Sequence, residues 1–259
     1  TSLSWLVARL RSEKGNGSPI PEEVIRNGAN SAAVQIELTD TYGLAATPED
    51  NHQFRWLLAK ARKGRKSEHS SHLQALNELA GRYRTRLSED ETVSLPLIAF
   101  YPVERVVLDI PLKIRERHTF FQLDGYDNSL NQGVDFRRFF EWFREVSDIE
   151  NAQIAQLFQQ LLSNPSLQKN KEPDFLQHLF HAQKQMHSPH LDALKQALTT
   201  VIPALEDLFI QYQPKLQLMV RYQGKSMLYQ QLSNSVKNWI ALVGDIVRRL
   251  CLLNPNSLY

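Results

Sequence analysis

Hydrophobic positions recur along the chain at two periods, and the change between them predicts its elements. Apolar side chains repeat every three or four residues over 3–13 and 70–87, which predicts two helices. Between these helices, two segments alternate strictly between apolar and polar residues, which predicts two strands. The apolar members of the two strands are Val34, Ile36, Leu38, Phe54, Trp56 and Leu58. The Gly-, Thr-, Pro- and Asp-rich stretch between the strands predicts a hairpin-like connection.

The middle of the chain carries three further patterns. The uninterrupted apolar run over 95–101 is typical of a buried strand. An aromatic-rich helix is predicted over 135–146. The glutamine-rich stretch 151–201 predicts a helical insertion, which Pro165 and Pro189 interrupt.

Strand patterns return near the end of the chain, at 208–212, 216–222 and 227–230, and a helix is predicted over 235–253. The order of helix, strands, helix, strand, helical insertion, strands and helix predicts a mixed α/β fold. We divide it into a β-rich lobe with flanking helices, the helical insertion, and a strand pair with the last helix. The boundaries of these parts are 1–149, 150–203 and 204–259.

Composition narrows the class of protein. Of 259 residues, 42% are hydrophobic and 22% charged, which favours a globular chain with a sizeable core over a disordered one. The single cysteine, Cys251, cannot form an internal disulfide, so we expect a reducing compartment. No apolar run approaches the ~20 residues that span a bilayer, and the first residues lack the pattern of a secretory signal. These features predict a cytoplasmic protein without a membrane partner.

A run of basic residues follows the second predicted strand. The formal net charge of +2 neither requires nor excludes nucleic acid, because binding depends on how the charges cluster. The run is therefore a candidate contact for the backbone of DNA or RNA. The alternative is a solvated strand end and loop. The residues are Lys60, Arg62, Lys63, Arg65 and Lys66.

The segment 232–237 directly opens the last predicted helix and reads Leu-Ser-Asn-Ser-Val-Lys. It resembles the Leu-Ser-x-Gly-Glu signature of SMC/RecF-like ABC ATPases. More closely, it resembles the AAA-family, PtuA-type ATPases of Septu and retron anti-phage systems. Segments 95–105 and 135–151 are similar to other parts of those ATPases. The resemblance implies part of an ABC/SMC-like ATPase head with a helical insertion.

The resemblance also implies a function. ATP and Mg²⁺ would be the cofactors, and the intact family would hydrolyse ATP to control an associated nuclease. Expected partners are a second copy (an ATP-dependent dimer or higher oligomer), an HNH-type nuclease and, in a retron, a reverse transcriptase with its RNA–DNA product. A helix N-terminus favours phosphate, so the signature residues would face the γ-phosphate held by the partner subunit. They are Leu232, Ser233, Asn234, Ser235 and Lys237.

The sequence departs from the family pattern in three ways. Ser235 and Val236 stand where the signature has glycine and an acid, and a serine there is expected to weaken phosphate contact. No Gly-x-x-x-x-Gly-Lys-Ser/Thr occurs, so a P-loop is not in this sequence. No apolar strand pattern ends in paired acids, so no Walker B segment is present. The residues Ser235 and Val236 favour the alternative, a non-hydrolysing scaffold that binds nucleic acid or protein through a degenerate signature.

Three further candidates come from local spacing. Arg105 follows the apolar run 95–101, where loops commonly line a site, and is a candidate contact for nucleotide or partner. Asp245 is spaced for a salt bridge with the arginines one turn later. Four histidines lie within thirteen residues, but the ligand set is incomplete, so we predict a polar helical hairpin and no metal site. These histidines are His178, His181, His187 and His190.

Overall fold

A computed structural model gives the fold and describes residues 1–40, 53–102, 119–130, 134–163 and 188–257. The chain forms two compact units, Thr1–Ile98 and Ala99–Tyr259. Each unit combines helices with a small antiparallel sheet, so the predicted mixed α/β class is confirmed. The three-part division at 149/150 and 203/204 stays a prediction.

Among the residues of the first unit that the structure describes, a pair of antiparallel strands packs with two α-helices. Its elements are α1 (Ser2–Arg11), β1 (Ser31–Thr39), β2 (Gln53–Ala61) and α2 (Gln74–Glu89). Strands β1 and β2 are antiparallel, with Ile36 opposite Trp56. Phe54, Trp56 and Leu58 are buried because every second residue of β2 points to the same face. The Trp56 Nε1 donates to the Ser2 Oγ at 2.9 Å, which satisfies the buried indole N–H. Both predicted strands and both predicted helices are confirmed.

In the described part of the second unit, three α-helices pack with a three-stranded antiparallel sheet of order β3-β4-β5. Its elements are α3 (Phe136–Ser163), α4 (Pro189–Val201), β3 (Leu205–Gln211), β4 (Gln217–Tyr222), β5 (Lys225–Leu228) and α5 (Asn234–Leu253). Gln223 and Gly224, at φ 50° and 73°, form the two-residue turn between β4 and β5. The turn joins two of the strand patterns predicted from the sequence, 216–222 and 227–230.

The core of the second unit forms where α3, α4 and α5 meet the sheet. The α3 aromatic residues are buried there with leucines of α4 and apolar residues of α5. Helices α3 and α5 approach closely at Gly244, where an added Cβ would lie 2.6 Å from two atoms of the Phe139 ring. The predicted aromatic helix is thus confirmed as a core element, although it continues to Ser163.

The apolar run at 95–101 is not a strand, so that prediction is wrong. Leu95 and Ile98 are buried, but Phe100 is 57% exposed, unlike a residue of a strand covered on both faces. Pro96 also has no N–H to donate to a ladder. The Phe100 N–H donates to the Ser129 carbonyl at 2.7 Å instead. The run is therefore an irregular segment whose apolar residues pack individually.

Candidate signature helix

Helix α5 begins at Asn234 because Ser233 caps it. Ser233 has extended backbone angles (φ −60°, ψ 151°), and its Oγ accepts from the Val236 N–H at 3.4 Å. The first intrahelical hydrogen bond runs from the Lys237 N–H to the Ser233 carbonyl at 3.0 Å. The N–H groups of Asn234 and Ser235 precede that bond and belong to the unpaired donors of a helix terminus. The sequence-predicted segment is therefore the start of a helix.

The side chains of this terminus divide into one anchor and an exposed group. Leu232 is buried among the apolar residues of the second unit. Ser233, Asn234 and Ser235 are exposed. Their positive helix end and hydroxyl groups suit an incoming anion. Ser235 has no positive φ, so glycine's conformational freedom is not needed at this position.

Lys237 and Tyr229 connect the terminus to the preceding turn, the 3₁₀ helix Tyr229–Gln231. The Lys237 Nζ donates to the Gln230 carbonyl at 3.3 Å, and the Tyr229 hydroxyl donates to the Lys237 carbonyl at 3.2 Å. The Tyr229 ring stacks on Phe136, with ring centroids 4.8 Å apart. Tyr229 thus supports the terminus from inside the core. Tyr229 was not among the residues predicted from the sequence, although its position three residues before Leu232 was a usable signal.

The second half of α5 carries a buried charge cluster of Asp245, Arg248 and Arg249, all 0% exposed. The Asp245 Oδ1 accepts from Arg248 Nη2 at 2.9 Å and from its Nε at 3.3 Å. The Asp245 Oδ2 accepts from Arg249 Nε at 2.8 Å. The predicted salt bridge is confirmed, but its complete burial was not predicted.

The charge cluster joins α5 to two distant segments. The Tyr101 hydroxyl donates to the Asp245 Oδ2 at 2.9 Å. Burial, and secondarily the charge of Asp245, raise the pKa of Tyr101 well above its usual value. Arg249 Nη1 donates to the carbonyls of Gly125 at 2.7 Å and Asp127 at 2.9 Å. These partners lie more than 100 positions from α5, so no local pattern in the sequence identifies them.

The basic run of the first unit is not a single surface. Arg62 is half-buried and donates to the backbone carbonyls of Ala29 at 3.2 Å and Ile25 at 3.0 Å. It therefore fixes the chain before β1. The other members are exposed and remain candidates for a nucleic-acid contact: Lys60, Lys63, Arg65 and Lys66.

Several candidates fall elsewhere. Arg105 lies outside the described residues, as do His178, His181 and His187. His190 is half-buried against the edge of Trp142, with ring centroids 6.5 Å apart. Within the described ranges, no three His, Cys, Asp or Glu residues are grouped as a metal site would need. None of the described helices is long and apolar enough to cross a membrane.

No protein-family model matches the chain. It is 30% identical to the retron Ec83 probable ATPase of Escherichia coli over 288 aligned positions, which cover 98% of this chain and 51% of that protein. The predicted resemblance to retron ATPases is confirmed. The retron Vc95 probable ATPase of Vibrio cholerae serotype O1 biovar El Tor is 29% identical over 238 positions, covering 80% of this chain and 44% of that protein. The chain thus spans about half the length of the curated relatives it matches.

Proposed function

We propose that this chain is part of the ATPase subunit of a retron-type anti-phage defence complex. ATP binding and hydrolysis by the intact subunit would control an associated nuclease. The observation that carries the proposal is the similarity to retron probable ATPases over 98% of the chain. The capped and exposed N-terminus of α5 lies at the segment that resembles the ABC signature, which supports the same reading.

The α5 terminus fits a phosphate better than a metal ion. It offers the Ser233 hydroxyl, the N–H groups of Asn234 and Ser235, and the positive end of a 20-residue helix. The signature residues carry no carboxylate, whereas Mg²⁺ prefers carboxylate and phosphate oxygens. Leu232 and Tyr229 hold the terminus in place before any ligand arrives. The terminus would therefore contact the γ-phosphate of ATP, with Mg²⁺ held by groups outside this sequence.

The partners follow from the same proposal. ATP bound by one subunit would contact the α5 terminus of another, so that ATP stabilises a dimer or higher oligomer. The controlled effector would be an HNH-type nuclease, and a reverse transcriptase with its RNA–DNA product would complete the complex. Hydrolysis of the β–γ phosphoanhydride would release the association.

The alternative is a non-hydrolysing scaffold with a degenerate signature. Val236 in place of the usual acid favours it, as do the four exposed cations Lys60, Lys63, Arg65 and Lys66. A scaffold of this kind would bind DNA or RNA in a salt-dependent way. Adding ATP would not change the mass of the particles that such a scaffold forms in solution, because ATP would not promote its association.

The test uses the full-length protein and one position on the exposed terminus. Ser235→Asp places a negative charge in the first turn of α5, where it stabilises the helix by ~0.3–1 kcal/mol but repels phosphate. Two unit charges ~4 Å apart near a surface interact by ~4 kcal/mol. Even with strong screening, we expect the ATP concentration that gives half-maximal association to rise at least about tenfold, which corresponds to about 1.4 kcal/mol of binding free energy.

Association is measured by analytical ultracentrifugation with Mg²⁺ and increasing ATP, and binding by a fluorescent ATP analogue. Ser235→Ala is the matched control, because it changes the same side chain without adding charge. If the Ser235→Asp variant needs no more ATP to associate than the Ser235→Ala variant, a phosphate contact at the α5 terminus is contradicted. A wild-type protein that binds no ATP would favour the scaffold.

A further inference from the structure

Four exposed cations lie at one tight turn that follows β2. The strand ends at Ala61, and the Arg65 N–H donates to the Arg62 carbonyl at 2.9 Å, which closes the turn. Gly64 occupies the third position of the turn at φ 75°, a backbone conformation that favours glycine. The exposed cations at this turn are Lys60, Lys63, Arg65 and Lys66.

Arg62 fixes the turn against the segment that precedes β1. Its guanidinium group donates to the carbonyls of Ile25 at 3.0 Å, Ala29 at 3.2 Å and Arg26 at 3.3 Å. The Arg62 N–H also donates to the Asn30 carbonyl at 2.8 Å. The turn is therefore held in place before any ligand binds, which lowers the ordering cost of binding.

The positive charge at the turn is not neutralised by ion pairs within the described part of the chain. None of the ion pairs formed there includes a side chain of the four cations. The Glu22 carboxylate approaches the turn, but it accepts from the backbone N–H of Lys63 at 3.2 Å. Segment 60–68 contains five cations and one acid, Glu68, so it carries a local excess of positive charge.

A dense cluster of cations on a fixed turn suits the phosphate backbone of a nucleic acid. Proteins that hold single strands combine such a cluster with exposed aromatic side chains on which the bases stack. The two aromatic residues of β2, Phe54 and Trp56, are buried, and no Phe, Tyr or Trp occurs over 57–72. The turn therefore fits a double helix, whose bases are already stacked, better than a single strand.

We propose that this turn binds the phosphate backbone of a nucleic-acid double helix, whatever its base sequence. The contact needs no ATP, and it does not rest on the phosphate contact proposed for the α5 terminus. A lysine or arginine that neutralises a phosphate releases a counterion, so the salt dependence of binding reports the number of contacts. Four contacts correspond to a slope of ~−3.6 for the logarithm of the binding constant against the logarithm of the salt concentration.

The test measures the fluorescence anisotropy of a labelled DNA duplex with the full-length protein, without ATP, over a range of salt concentrations. The turn variant carries Lys63→Gln, Arg65→Gln and Lys66→Gln. The matched control removes three positive charges from exposed positions outside the turn, by Lys14→Gln, Lys215→Gln and Lys225→Gln.

We expect the turn variant to bind the duplex at least about tenfold more weakly than the control, with a slope smaller in magnitude by ~2.7. The control should bind like the wild type. Equal losses in the two variants would overturn the site, because net charge alone would then explain binding. Unchanged binding by the turn variant, or no binding by the wild type, would also overturn it. Tighter binding of a single strand than of the duplex would overturn the choice of a double helix.

Discussion

Two glycine-to-alanine substitutions should change stability in opposite directions, although both glycines lie inside helices. Gly81 is in α2, and the nearest atom to an added Cβ is Arg84 Nη2 at 3.9 Å. Gly244 is in α5, and an added Cβ would lie 2.6 Å from Cε2 and Cζ of Phe139. Real Cβ atoms do not approach neighbours so closely, so Phe139 would have to move.

The expected magnitudes follow from these contacts. Alanine gains about 1 kcal/mol over glycine in a helix interior, and this gain is the same for both substitutions. At Gly244 the Phe139 ring is 0% exposed and cannot swing into solvent. Overpacking of this kind costs ~1–3 kcal/mol. The free energies of unfolding of the two variants should therefore differ by ~1–3 kcal/mol, with Gly81→Ala the more stable relative to wild type.

Because the two glycines lie in different units, stability is best read for each unit separately. Hydrogen exchange of core amides, followed by mass spectrometry in increasing urea, gives the free energy of opening of each unit. Phe139→Leu provides the control background, since removing the ring should remove the penalty of Gly244→Ala. If Gly244→Ala stabilises the second unit as much as Gly81→Ala stabilises the first, the close approach of α3 and α5 is refuted.

Two further predictions concern titratable groups of the second unit. Burial raises the pKa of Cys251 to about 12, so its thiol should stay protonated at pH 8. The thiol should then react with a disulfide reagent only when the second unit unfolds. Rapid stoichiometric labelling of the native protein would contradict this prediction. Burial lowers the pKa of His190 below its usual 6.5, so the folded state favours neutral imidazole and the unfolded state takes up the proton first as pH falls. The contribution of His190 to stability is therefore present above about pH 6.5 and is lost as the pH falls below it. The His190→Gln variant should show a smaller fall in the free energy of unfolding between pH 7 and pH 5 than the wild type. An unchanged slope would show that His190 is not the group responsible.

Most regular elements could be predicted from the sequence because their signals are local. The alternation in β1 and β2 predicted the hairpin, and Val34 does lie opposite Leu58 in it. The helix predicted over 235–253 is observed as Asn234–Leu253, since its apolar periodicity and the Ser233 cap both act within a few residues. The exception was the segment 95–101, which was predicted as a buried strand but is irregular. An apolar run indicates burial, but it does not show whether a neighbouring strand is available for pairing.

The sequence by itself thus determined the helices, the hairpin and the start of the candidate signature helix, whose physical causes act within a few residues. The spacing of Asp245 and the two arginines predicted their salt bridge, but only the tertiary structure decided the burial and the distant partners of the charged side chains. It turned Arg62 from a candidate nucleic-acid contact into an anchor for carbonyls 33 and 37 positions away. It also joined Asp245 to Tyr101 across 144 positions and buried two arginines with it. Charge pairing depends on which groups share one desolvated space, and folding alone assembles that space.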